Sequence, residues 1–185
     1  KAQRYSKPLV AINLKDDDEV VDVHRTDGSC LLFLSTSYGY GLFFHEEEVN
    51  VVGSRAAGVK GIQLKDGDKV VSSLAVSNNQ LADQVLVVVT HRGAVKKMKL
   101  GEMERTQRAR RGTMIYRELK TNPHRTVSVW LAHGNELLWL ETEKGMREAI
   151  PLADMKISDR YSNGSFYIDI DEAGEVTDSW LETEA

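Results

Sequence analysis

Residues 105–120 read RTQRARRGTMIYRELK and carry six positive side chains, Arg105, Arg108, Arg110, Arg111, Arg117 and Lys120, against the single carboxylate of Glu118. Such groups make and break no bonds on their own. What they do is hold anions, and in a free protein they repel one another unless something negative settles among them. The cluster extends on both sides. Between residues 92 and 125 stand eleven Lys or Arg, adding Arg92, Lys96, Lys97, Lys99 and Arg125, against Glu102, Glu104 and Glu118, a local excess of +8. The whole chain has a formal charge of −4, so everything outside that window sums to −12. A solvated face is the ordinary reading of a charge run, but an excess of this size is unusual in an acidic chain, and DNA binding stands level with it.

Other chemistries fit poorly. Gly53-Ser-Arg-Ala-Ala-Gly58 has the glycines of a phosphate loop, but Val59-Lys60-Gly61 stands where Gly-Lys-Ser/Thr is required. Tyr38-Gly39-Tyr40-Gly41 reads as a hairpin bend. The histidines at 24, 45, 91, 124 and 133 form no His-x-x-x-His pair and have no second cysteine beside them, and residues 16–19 lack the spaced ligands and glycine of a calcium loop. No metal site and no catalytic residue is expected. Asn163-Gly-Ser is a formal glycosylation sequon that reads as a tight turn. Trp130, Trp139 and Trp180 fall in strand patterns and are expected in the core.

The elements that must position the cations come from a repeat. LLFLSTSYGYGLFFHEEEV (31–49), VLVVVTHRGAVKKMKLGEM (85–103) and LLWLETEKGMREAIPLADM (137–155) align without a gap. Thr36, Thr90 and Thr142 coincide, as do Gly39, Gly93 and Gly145, and nine residues beyond the segments Gly58, Gly112 and Gly164 share a column. The opening QRYSKPLVAINLK matches the same closing element, with Leu14 against Leu64. The units run approximately 14–63, 64–118 and 119–170, with a partial unit 171–185, all within one domain spanning 1–185. Each unit should hold a hairpin, a preceding strand (20–24, 70–76, 126–132, 176–181) and a following strand near GVKGIQL, GTMIYREL and GSFYIDI. Four short strands per repeat predict an all-β, propeller-like array of four-stranded blades, about three plus a partial one. Strands apolar on both faces should sit between neighbouring sheets.

With 41% apolar residues the chain can bury a core. One cysteine, Cys30, fits a reducing compartment, the cytosol by default. No apolar run is long enough to span a bilayer, so no membrane partner is expected. The chain starts at Lys1 without a methionine, which reads as a piece of something larger.

The repeated core around VVVTHRGAVKKMKL, with GSRAAGVKGIQLKDGDKVV, RARRGTMIYRELKTNPHR and SDRYSNGSFYIDI, resembles the C-terminal domain of the A subunit of bacterial type IIA topoisomerases, the topoisomerase IV branch of Gram-positive bacteria in particular. The resemblance covers nearly the whole chain. It implies a β-pinwheel, whose blades exchange strands with their neighbours and whose basic outer rim carries double-stranded DNA, bending it to direct strand passage in decatenation and supercoil relaxation. It implies as partners the remainder of the topoisomerase IV A subunit and the B subunit, near the nucleoid. The family's catalytic tyrosine, magnesium-binding carboxylates and ATP site belong to regions absent here, so this chain should need no cofactor, ATP and Mg serving the full enzyme. The gyrase A subunit carries a box, Gln-Arg-Arg-Gly-Gly-Lys-Gly, for tight wrapping, and Gln107-Arg108-Ala109-Arg110-Arg111-Gly112-Thr113 lacks its glycine pair and terminal Lys-Gly. The gyrase version and a protein-interaction scaffold are the alternatives.

The DNA-binding candidates are therefore Lys96, Lys97, Lys99, Arg105, Arg108, Arg110, Arg111, Arg117, Lys120 and Arg125, with Arg55 and Lys60 in the equivalent loop of the previous blade and Lys156 and Arg160 in the next. Alternation along the strand sends Lys97 and Lys99 to one face and Lys96 to the other.

Overall fold

The structure is a computed structural model that describes residues 8–15, 17–81 and 84–182. Three hairpins organise it: β1 (Leu31–Thr36) with β2 (Tyr40–His45), β4 (Val85–Thr90) with β5 (Ala94–Lys99), and β8 (Leu137–Thr142) with β9 (Arg147–Pro151). The repeated Thr and Gly make their turns. Gly39, Gly93 and Gly145 donate N–H to the carbonyls of Thr36, Thr90 and Thr142 at 3.0, 3.0 and 2.8 Å. All three glycines have φ between 75° and 85°, a left-handed conformation that a Cβ would strain. The Thr36 and Thr142 hydroxyls accept the N–H groups of Tyr40 and Met146 at 3.2 Å, so the threonine closes the bend from the other side.

The remaining strands are β3 (Val70–Val76), β6 (Thr113–Met114), β7 (Thr126–Ala132), β10 (Ile157–Ser158), β11 (Ser165–Phe166) and β12 (Val176–Glu182), with one short α-helix among the described residues, α1 (Ile170–Ala173), besides single 3-10 turns. They do not return to the hairpin of their own repeat. The strand that precedes each hairpin in the sequence pairs with the previous one, β3 on β1, β7 on β4 and β12 on β8. The strand that follows does likewise, β6 on β2 and β11 on β5. The sheets are thus β3-β1-β2-β6, then β7-β4-β5 with β10 and β11 both on β5, then β12-β8-β9.

This exchange corrects two expectations. Residues 20–24 form no strand, and neither do residues 59–64. By the register of the repeat, neither of the two hairpins that follow in the chain is their partner. Among the described residues the sheets hold four, five and three strands rather than four each.

Small side chains let the inner strands meet: Ser72 Oγ accepts the N–H of Val129 at 2.9 Å, and the hydroxyls of Ser128 and Ser179 touch. Two cores fill the gaps between sheets. Phe33, Phe43, Leu74 and Val76 of the first sheet pack on Leu86, Val88, Met98 and Val129 of the second, with Ile115 and Tyr116 from the segment after β6. Val87, Val89 and Val95 turn the other way onto Leu138, Leu140, Ile150 and Leu152 of the third. Period-2 alternation with both faces buried is what a middle blade requires. The tryptophans are less interior than expected. Trp130, Trp139 and Trp180 are half-buried, and Trp139 and Trp180 stack as a cross-strand pair at 6.0 Å on the third sheet.

Candidate nucleic-acid interface

The loops that lead into the closing strands lie shoulder to shoulder, held by one bond pattern that repeats along the chain. Asn13 donates N–H to the carbonyl of Ala56 at 3.1 Å, and Gln63 donates to that of Arg110, the equivalent position, at 2.9 Å. Ala109 N–H adds a bond to Gly61 O at 2.7 Å. Arg117, in the column of Asn13 and Gln63, donates N–H to the Oδ1 of Asn163 at 2.9 Å. Loops 55–63, 107–112 and 159–164 therefore follow one another along a single edge. Arg55 and Ala109, in the same column one unit apart, share a left-handed backbone with φ of 69° and 62° that turns both loops the same way.

On this edge Arg55, Lys60, Arg110 and Arg111 are exposed. None of them joins an ion pair among the described residues, and Arg110 touches only the neutral Oε1 of Gln107, at 3.0 Å. Arg108 is half-buried and works as a strut: its backbone N–H reaches Glu48 Oε2 at 2.8 Å, its Nε the carbonyl of Glu48 at 2.8 Å, and its Nη1 the carbonyl of Lys60. Arg105 is exposed beside β2, where Thr106 N–H bonds Phe43 O at 2.8 Å. Arg117 and Lys120 are exposed. Arg125 lies nearer the hairpin turns and is already engaged, over the Tyr38 ring at 4.5 Å and 3.6 Å from Glu118.

Two candidates are corrected. Lys96 and Lys97 are 2% and 7% exposed and reach no surface. Both faces of β5 are interior, because the second sheet has a neighbour on each side, so alternation carries the two ammoniums into opposite seams. Lys97 Nζ donates to Leu152 O at 2.6 Å. Lys96 Nζ donates to the carbonyls of Asp159, Arg160 and Ser162 at 3.2, 2.8 and 2.9 Å. Lys96 thereby folds the loop that presents Arg160. Burial pushes its pKa down to about 8, against the pull of Asp159 and with a push from Arg160. Lys99, at the end of the strand, is exposed, and Lys156 is exposed in the loop after β9.

Other groups are shifted by burial. His124 is buried, its Nδ1 3.1 Å from Thr90 Oγ1 and its Nε2 3.5 Å from Arg92 Nη1; burial first, then Arg92 and His91, hold its pKa down at about 4. The Tyr116 phenol, 3.0 Å from Thr126 Oγ1, is pushed up to about 12 by burial. Asp27, Cys30 and Glu46 bring three ligand-type atoms within 4.8 Å, but the Cys30 thiol and N–H are donated to the two carboxylates, which closes the loop before β1. The site's chemistry is that of fixed positive charge on a rigid edge.

The sequence matches the family described as DNA gyrase C-terminal domain, beta-propeller, over residues 1–27, 31–77 and 84–129. It is 54% identical over 185 residues to the A subunit of DNA topoisomerase 4 from Bacillus subtilis (strain 168), covering 100% of this chain and 22% of that protein. The fold superposes with a TM-score of 0.90 and 55% identity on a crystal structure of the C-terminal domain of DNA topoisomerase IV, covering 98% of this chain and 55% of the other. A DNA gyrase A C-terminal domain superposes at 0.80 with 17% identity over 94% of this chain and 57% of its own, a likeness of fold. The chain thus spans 22% of the length of the Bacillus relative it matches.

Proposed function

We infer the role from a premise, that the chain belongs to the DNA gyrase C-terminal domain, beta-propeller family, as a C-terminal domain of the topoisomerase IV type. Its proposed task is to hold and bend duplex DNA on its basic edge, without catalysis of its own. In a longer A subunit, joined by a B subunit, it would steer one duplex toward another for decatenation and relaxation, while ATP, Mg and the cleaving tyrosine act in parts outside this chain. The cytoplasm, beside the nucleoid, is where this work would take place.

The observation that carries the reading is the ladder of closing loops, which lines up Arg55, Lys60, Arg110 and Arg111 on one edge, free of ion pairs among the described residues. Arg105, Arg117 and Arg160 extend the edge; Lys99 and Lys120 are exposed secondary contacts. Arginines on loops contact phosphate and fix position without reading bases. Bending a duplex costs on the order of 1–6 kcal/mol, so a short basic arc should hold DNA more loosely than a closed ring.

Fluorescence anisotropy of a labelled duplex, titrated with this chain at low and raised salt, tests the proposal. Binding that weakens steeply with salt and falls for all sequences alike in Arg110→Glu/Arg111→Glu is expected. Absent or salt-independent binding, or a protein partner that duplex DNA cannot displace from this edge, overturns it.

A further inference from the structure

Phosphate binding leaves two aromatic rings on this edge unexplained. Tyr161 is 65% and Phe166 60% exposed, and among the described residues no other Phe, Tyr or Trp is exposed. Both belong to the third closing element, where the preceding units carry Arg55 and Ala109, and Lys60 and Met114, in the same columns.

Their contacts place them along one seam. Phe166 stands opposite Ala94 on the outermost strand of the second sheet, and Ala94 shares its side of β5 with Met98, which faces the first sheet. The Phe166 ring lies against His124 at 6.0 Å and an interplanar angle of 29°, with the Arg92 guanidinium 5.5 Å from its centroid. Tyr161 carries Arg160 on its ring at 4.4 Å and bonded to its hydroxyl at 2.8 Å. Arg160 reaches across to the first sheet and donates Nη1 to Met114 O at 2.9 Å, close to where Arg117 holds Asn163. Each exposed ring thus has a guanidinium on it, and both flank the outer mouth of the gap between the first two sheets.

We propose that Tyr161 and Phe166 are direct DNA contacts that enter the minor groove at this seam and part a base step, concentrating the bend there. This rests on the DNA-holding role inferred above. A flat ring braced by a cation is suited to stacking on a base, and apolar wedges of this kind kink a duplex at a cost of a few kcal/mol per step. The arginines beside the rings supply the phosphate contacts that hold the opened step in place. A cavity of about 560 Å³ beside Phe166 is lined by Arg92 together with Asp169 and Asp171. The two carboxylates outnumber Arg92 there and repel phosphate, which favours a DNA backbone on the Arg160 and Arg117 side.

Duplexes carrying 2-aminopurine at successive positions, titrated with this chain, report unstacking as a rise in fluorescence at one step, and end-labelled duplexes report the bend by energy transfer. Tyr161→Ala/Phe166→Ala is expected to abolish the fluorescence rise, reduce the bend and weaken binding about tenfold, since each stacked base contributes about that much or more. Tyr161→Phe and Phe166→Tyr should behave as the parent, which separates stacking from general loss of structure; circular dichroism and the thermal midpoint check the alanine variant. Arginine-dependent binding with no fluorescence change, or an alanine variant that bends DNA like the parent, overturns the wedge and leaves the phosphate-holding role standing. No binding at all overturns both.

Discussion

His124 is a neutral imidazole in a ring of donors and cations. Its folded pKa of about 4 lies below the 6.5 of a free histidine. Below pH 6.5 the unfolded chain takes up a proton that the folded chain refuses, so stability falls as pH drops from 6.5 to 4, by on the order of 1–3 kcal/mol. Thermal midpoints of the parent and His124→Gln across that window should converge on acidification as the parent loses its advantage; parallel curves would refute the assignment. Lys96 makes the complementary case of a buried charge held by carbonyls. Lys96→Met leaves the acceptors of Asp159, Arg160 and Ser162 without their ammonium and should cost about 1–3 kcal/mol in urea unfolding. It should also weaken DNA binding, although Lys96 touches no solvent, because the loop of Arg160 loses its anchor. The sequence places Lys96 and Lys97 on β5 and alternates them properly, yet reading them as surface cations fails. A lysine is assumed exposed by habit, whereas AVKKMKL between two apolar hairpins already marks a strand with no outside face. The exposure of Phe166 has no comparable signal, because an apolar ring in a strand pattern reads as core, and nothing in the loop sequence sets Tyr161 apart.

At the scale of the element, the column of Gly58, Gly112 and Gly164 is legible as a repeat but its purpose is not. A Cβ on Gly112 would stand 2.2 Å from Gly41 O, and one on Gly164 2.3 Å from Val95 O, so each closing strand runs hard against the outer hairpin strand of the preceding unit. Gly58 has the same left-handed φ, 81°, with nothing within 4 Å. Gly112→Ala should therefore push β6 off β2 and cost clearly more than Gly58→Ala, which bears only the left-handed strain of about 1–2 kcal/mol. Denaturant midpoints of the two variants measure the difference, and equal losses would mean that the close approach contributes nothing. Tyr116 and Ile168 occupy the matching column four residues on, where they pack over the turn glycines Gly39 and Gly93, again one unit back. Spacing alone reveals strands, turns and period. It does not reveal partner choice, because a strand pairing with its own hairpin and one pairing with its neighbour's leave the same periodic pattern.

For the molecule as a whole the question is whether the basic edge acts as one surface. Charge segregation, +8 in residues 92–125 against −12 elsewhere, is plain in the sequence, but the count includes Lys96 and Lys97, which are buried, and Arg125, which is engaged. The side-by-side closing loops compensate by bringing in Arg55 and Lys60 from the previous unit. If Arg55, Lys60, Arg105, Arg110, Arg111 and Arg117 each neutralise a phosphate, the slope of log affinity against log salt should be roughly −5, at about −0.9 per contact. Neutralising Arg55 and Lys60 to Gln should then reduce the slope by about two, Arg110 and Arg111 to Gln by the same, and all four together by about four. That sum requires one duplex to lie on both loops at once. Were the loops separate surfaces, a duplex would use one or the other, and removing the weaker pair would leave the slope of the stronger untouched. Salt titrations of the three variants decide between the two arrangements, and a slope that fails to add breaks the continuous edge into patches.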